Sequence, residues 1–99
     1  MRYTVEFSTE AEITYAKNIS FLLERWTVKE AQTFIEKVND ILVLLASSPE
    51  IGIAVKGKRI RKINAVPQVS VYYKIEPKNN IIEIITFWNN YQSPAKLKI

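Results

Sequence analysis

The sequence predicts an α+β fold, strand–helix–helix–strand–strand–strand, with a helical hairpin packed on one face of a mainly antiparallel four-stranded sheet. Three observations predict it. The apolar residues repeat every second position at the start, at helical spacing across residues 9–47, and every second position again from about residue 59. Two helix-start signals fall so close together that only an antiparallel hairpin joins the helices. One such hairpin cannot bury both apolar faces without a sheet beneath it.

Residues 2–8, Arg2-Tyr3-Thr4-Val5-Glu6-Phe7-Ser8, put Tyr3, Val5 and Phe7 on one side, as a half-buried strand does. Thr9 with Glu12 three residues on predicts a capping box, and Tyr15, Ala16, Ile19, Leu22, Leu23 and Trp26 then recur at helical spacing, giving a first helix to about Arg25. Thr27 with Glu30 repeats the signal. Ala31, Phe34, Ile35, Val38, Ile41, Leu42 and Leu45 follow on one face, and Pro49 ends the second helix because its ring cannot continue the backbone ladder. Three strands are then expected at Arg59–Ala65, Val69–Glu76 and Ile81–Trp88, the last apolar on both faces and so interior. Pro67-Gln68 and Pro77-Lys78-Asn79-Asn80 supply the turns of a meander, and a polar tail runs from Asn89 to Ile99. The sheet face away from the helices is expected to stay partly open and to display Ser70, Tyr72 and Lys74. Trp26 and Trp88, in phase with apolar faces, are expected to pack, and Glu10, Glu12 and Glu24 read as helix-start and solvated charges.

Ninety-nine residues are expected to form one domain spanning 1–99. With 47% hydrophobic and 24% charged residues, the chain is too apolar for disorder. It has no cysteine and no histidine, which removes disulfides, thiolate metal sites, the usual general base and the hydrolase arrangements that need a His partner. Any catalysis must therefore use Lys, Arg, Tyr, Glu or Asp, and no cofactor or metal is expected. Glu6 interrupts the place where a secretory apolar run would lie, and the longest such run, Ile41–Ala46, is far short of the roughly 20 residues of a membrane span. A cytoplasmic location without a membrane partner is the expectation.

Charge is divided between the halves. Residues 1–50 carry five basic and eight acidic side chains, a balance of −3, whereas residues 51–99 carry nine basic and two acidic, a balance of +7. Lys56, Lys58, Arg59, Arg61 and Lys62 fall within seven residues. Such density reads as a surface for an anionic partner; the other reading is an edge strand whose charges block sheet-to-sheet aggregation.

The element order, the basic second strand, the Val71-Tyr72-Tyr73-Lys74-Ile75 centre of the third and the ending Phe87-Trp88-Asn89-Asn90-Tyr91-Gln92-Ser93-Pro94-Ala95-Lys96-Leu97 together resemble the RelE/ParE superfamily of type II toxins. The start, Tyr3 to Ser8 leading into an acidic helix that ends near Trp26, is similar to ParE-like members. Trp88, Asn89, Asn90, Gln92, Pro94, Lys96 and Leu97 fit the family's closing pattern, while Tyr91 stands where many relatives have Arg. The resemblance implies a growth-inhibiting toxin neutralised by a cognate antitoxin. RelE-like members cleave messenger RNA on the ribosome with basic residues and a Tyr near the chain end; ParE-like members poison DNA gyrase. On the ParE-like reading, Lys56, Lys58, Arg59, Arg61, Lys62, Tyr72, Lys74, Asn89, Asn90, Tyr91 and Gln92 would contact target or antitoxin. On the ribonuclease alternative, Tyr91, Arg61 and Lys58 would be catalytic, without a metal: lysine and arginine would neutralise the phosphate and Tyr91 would move a proton. A basic nucleic-acid-binding module without toxicity is the third reading.

Overall fold

The computed structural model describes residues 2–97 and 99, excepting the side chain of Pro94. It contains five strands and two long helices: β1 (Thr4–Phe7), α1 (Thr9–Arg25), α2 (Val28–Ser47), β2 (Ile53–Ala54), β3 (Arg61–Val66), β4 (Val69–Glu76) and β5 (Ile81–Asn89), with single 3₁₀ turns at Pro49–Ile51 and Pro94–Lys96. The sheet order is β1-β5-β4-β3-β2. The expected helical hairpin, meander and interior last strand are all present. Two features correct the expectation of four mainly antiparallel strands. A two-residue strand, β2, is added at one edge, and β1 lies parallel to β5 at the other. β2 is too short to carry a readable period, and strand direction depends on where the hairpin returns the chain.

The helices start where capping chemistry permits. The side chain that caps α1 is Ser8, not Thr9: its Oγ accepts the Ala11 N–H at 3.0 Å and donates to the Ile85 carbonyl at 2.8 Å. Thr27 caps α2 as expected, its Oγ1 accepting from the Glu30 N–H and donating to Glu30 Oε1 at 3.0 Å. β3 begins at Arg61 rather than Arg59. The intervening residues form the turn of the β2–β3 hairpin, closed by Val55 N–H to Ile60 O at 2.8 Å, with Gly57 at a φ of 77° that favours glycine.

Ala11, Leu22, Phe34, Val38 and Leu45 of the helices pack on Val71, Tyr73, Ile82, Ile84 and Phe87 of the sheet. Phe7, Tyr15, Phe34 and Phe87 form an aromatic knot at its centre, with ring centroids 5.0–6.1 Å apart. Beyond the end of β1, α1 takes over as the edge partner of β5. Phe87 N–H donates to Thr14 Oγ1 at 2.9 Å, and Asn18 Nδ2 donates to Phe87 O at 3.0 Å and to Thr14 O at 2.8 Å. Two helical side chains thereby satisfy backbone groups that a missing strand would leave unpaired.

The sheet's second face is not open as expected. Ser70 is fully buried, its Oγ within hydrogen-bond distance of Asn64 Oδ1 and Asn90 Oδ1, and Tyr72 is 8% exposed, sharing a cleft with Ile53, Ala54 and Val55 of the β2 hairpin and with Leu97 and Ile99. Of the three residues expected on display there, Lys74 alone remains exposed. Among the described residues no helix is long and apolar enough to cross a membrane.

Candidate functional site

The basic cluster occupies the tip and flank of the β2–β3 hairpin. Lys56, Lys58 and Arg59 lie in the turn and are exposed; Arg61 and Lys62 begin β3 and point to opposite faces of the sheet, as successive strand residues must. Lys62 holds its Nζ 6.0 Å from the centre of the Tyr72 ring, and Lys58 Nζ donates to the Ile99 main-chain oxygen at 2.8 Å. Lys58, Lys62 and Tyr72 share a cleft of about 420 Å³ with Ile53, Ala54, Val55, Leu97 and Ile99. Burial raises the Tyr72 pKa, so the phenol stays neutral at any physiological pH.

Arg61 has a different role from the solvent-facing one its setting in the cluster implied. Its Nη1 donates to the carbonyls of Gly52 at 2.7 Å and Glu50 at 3.2 Å, and its Nη2 lies 3.9 Å from Glu50 Oε2. The same 3₁₀ turn is held from the core by Tyr73, whose hydroxyl donates to Pro49 O at 2.7 Å and accepts the Gly52 N–H at 2.9 Å. Arg61 therefore fastens the segment that leads into β2. Lys74, near the far end of β4, pairs with Glu83 at 3.4 Å.

The closing residues lie at the other end of the sheet. Asn90 clips the β3–β4 turn: its N–H donates to Gln68 O, its Nδ2 to Pro67 O at 3.0 Å, and its Oδ1 lies 2.9 Å from Ser70 Oγ. Asn89 Oδ1 accepts the Tyr91 N–H at 2.9 Å. Gln92 is exposed beside Asn89 and Trp88 in a cleft of about 290 Å³. Tyr91 is 66% exposed, and its ring stacks on Trp26 with centroids 6.5 Å and planes 18° apart, with Phe21 at 6.1 Å.

Tyr91 is thus not gathered with the two cations that a catalytic trio would need. Asn89, the last residue of β5, pairs with Val69, whereas Arg61 pairs with Tyr73 four residues further along β4, a separation of about 13 Å along the strand. Lys58 and Arg61 line one cleft with Arg59, and Tyr91 does not border it. Sequence reasoning expected Trp26 to pack in the core or the hairpin; it is 44% exposed and stacks on Tyr91 instead. The available signal was its position at the very end of α1, where the helical phase no longer determines which way a side chain points.

Three comparisons bear on ancestry. No curated protein sequence matches the chain. Among solved structures, the chromosomal ParDE system from P. aeruginosa matches with a TM-score of 0.70 at 9% identity, over 89% of this chain and 96% of that one. The intact E. coli RelBE complex matches at 0.64 and 16% identity, over 88% and 95%. A YoeB/ParE toxin from Agrobacterium tumefaciens matches at 0.61 and 11% identity, over 87% and 96%. At such identities these likenesses establish the fold. The family itself comes from the model of the ParE toxin of the type II toxin–antitoxin system parDE, which matches residues 5–93. Covering the whole path from β1 through the helical hairpin and meander to the closing residues, that match makes the chain a member of the ParE toxin family of type II toxin–antitoxin systems, within the RelE/ParE superfamily.

Proposed function

We propose that this toxin inhibits growth by binding a macromolecular target, DNA gyrase being the first to test, and that a cognate antitoxin neutralises it. The observation that carries the choice of binding over RNA cleavage is the dispersal of the cleavage groups. Arg61 is committed to two backbone carbonyls, and Tyr91 to the aromatic stack at the opposite end of the sheet. A transition-state phosphate needs its cations and its proton donor within hydrogen-bond reach of one point.

The exposed charges Lys56, Lys58 and Arg59 supply the antitoxin surface. Solved relatives from P. aeruginosa and E. coli are described as toxin–antitoxin systems or complexes, which supports a partner of that kind. An acidic antitoxin segment drawn by this field should bind more weakly as salt rises, because exposed charges are screened beyond about 8 Å at physiological ionic strength. Expression of the chain alone tests the target class. DNA-damage signalling with intact messages is expected; cut messages would instead establish the ribonuclease, and normal growth the non-toxic nucleic-acid-binding module.

A further inference from the structure

The cleft beside the β2–β3 hairpin joins apolar walls to a small set of hydrogen-bond donors. Its walls are Ile53, Ala54 and Val55 of the hairpin and Leu97 and Ile99 of the closing segment; its polar side chains are Lys58, Lys62 and Tyr72, and no acidic side chain lines it. A volume of about 420 Å³ lies within the range of roughly 300–1,000 Å³ of small-molecule sites, which have this same composition.

Tyr72 is 8% exposed, yet its hydroxyl makes no hydrogen bond among the described residues. A buried phenol ordinarily finds a partner, and Tyr73, its neighbour in β4, has two. Burial keeps the Tyr72 phenol protonated, so it has a proton to donate. Lys62 holds its Nζ 6.0 Å from the centre of the same ring, and no carboxylate pairs with it among the described residues. Lys58 shows what such donors take. Its Nζ donates to the Ile99 main-chain oxygen at 2.8 Å, while Ile99 also lines the cleft.

Charge and donor count select the ligand. The Tyr72 hydroxyl and the Lys62 ammonium offer two donors, one of them charged, matching the two oxygens and single charge of a carboxylate. An amine would meet two cations and no acid, and Lys62 stands where a nucleobase would stack on the Tyr72 ring. The five apolar walls call for a hydrocarbon body behind the anionic head. We infer that this cleft binds a small carboxylate with an apolar body, of the class of medium-chain fatty acids, its head between Tyr72 and Lys62 and its chain against Ile53, Val55 and Leu97. The site is separate from the choice of macromolecule that the toxin inhibits.

The test titrates octanoate, below its micelle-forming concentration, into the full chain by calorimetry, with hexanoate, decanoate, octanol and octyl phosphate for comparison. One octanoate should bind per chain, and affinity should rise about fourfold for each added methylene from hexanoate to decanoate. Octanol, which lacks the charge, should bind about 10-fold more weakly or worse, and Tyr72→Phe and Lys62→Gln should weaken octanoate by a similar factor. Tyr72→Phe keeps the ring and removes a hydroxyl without an internal partner, so it should melt with wild type and reports on the site even if Lys62→Gln unfolds. Lys78→Gln, in the exposed turn between β4 and β5, should bind octanoate like wild type. Equal affinity for octanol and octanoate, or octanoate binding unchanged in folded Tyr72→Phe, overturns the inference in favour of unspecific apolar uptake. Octyl phosphate binding more tightly than octanoate overturns the carboxylate assignment. Titrations that do not saturate, or that ignore chain length, overturn the site altogether. None of these outcomes depends on growth inhibition, so failure here leaves the proposed function standing, and a chain without toxicity leaves this site standing.

Discussion

Arg61→Gln should destabilise the fold, although Lys58 and Arg59, just before it in sequence, are exposed. The side chain is 29% exposed, and its 2.7 Å bond to the Gly52 carbonyl lies in a partly buried position, while the bond to Glu50 O and the long pairing with the Glu50 carboxylate face solvent. A hydrogen bond from a charged donor contributes about 1.5–3 kcal/mol, and the partial exposure places the Gly52 bond near the lower end. The Glu50 pairing, with one side chain 78% exposed, adds about 0–0.5 kcal/mol. The expected loss is about 1.5–2 kcal/mol, a fall in Tm of about 6–16 °C for a domain of this size. Arg61→Lys keeps the charge but not the fork and should lose an intermediate amount. Lys58→Gln, with one exposed bond to Ile99 O, should stay within about 0.5 kcal/mol of wild type. Urea and thermal melts by far-UV circular dichroism measure all three. Arg61→Gln melting with wild type, or Lys58→Gln losing as much, would show that the guanidinium does not fasten the turn before β2. The distinction also governs toxicity experiments: lost activity in an Arg61 variant reports folding, whereas lost activity in Lys58 and Arg59 variants at unchanged Tm reports contact.

Asn18→Leu should cost about 1–3 kcal/mol, because it strands the buried Phe87 carbonyl; Thr14→Val should act alike through the Phe87 N–H, and hydrogen exchange at Phe87 should rise in that variant. Gly52→Ala should be destabilising, since a Cβ there would sit 2.6 Å from the Tyr73 hydroxyl and 2.8 Å from its ring carbon Cε1, and two hydrogen bonds hold that side chain in place; a thermal melt matching wild type would refute the clash. Burial raises the Tyr73 pKa above 10, outweighing the lowering by the Gly52 N–H and Arg61. The folded phenol therefore keeps its proton where the unfolded one loses it, so the stability it contributes is full below pH 10 and is lost as pH rises through the folded value. Alkaline melts should show a shallower decline in Tyr73→Phe, and an identical decline would refute the assignment.

The helical hairpin and the strand spans were legible because period and capping are local: the Thr27–Glu30 signal, the stop at Pro49 and the alternation of Val69–Glu76 need only neighbouring residues. The cap of α1 was misplaced by one residue because Ser8 and Thr9 carry the same chemistry, and only Ser8 also reaches the Ile85 carbonyl of β5. The charge division between the halves and the basic hairpin were likewise readable directly.

Sequence by itself determined which face of each helix is apolar, where the helices begin and end to about one residue, and where positive charge gathers. Tertiary structure decided which neighbour covers each face. It set β1 parallel to β5, used Thr14 and Asn18 as substitutes for a strand edge, brought Leu97 and Ile99 to the cleft that Tyr72 lines, turned Arg61 toward the Gly52 carbonyl, and stacked Tyr91 on Trp26. The physical reason is the same in each case. Periodicity records that a side chain leaves water, but the partner that removes the water comes from a distant part of the chain, as Phe87 meets Thr14 across 73 positions. Its identity follows from the packing of the whole fold.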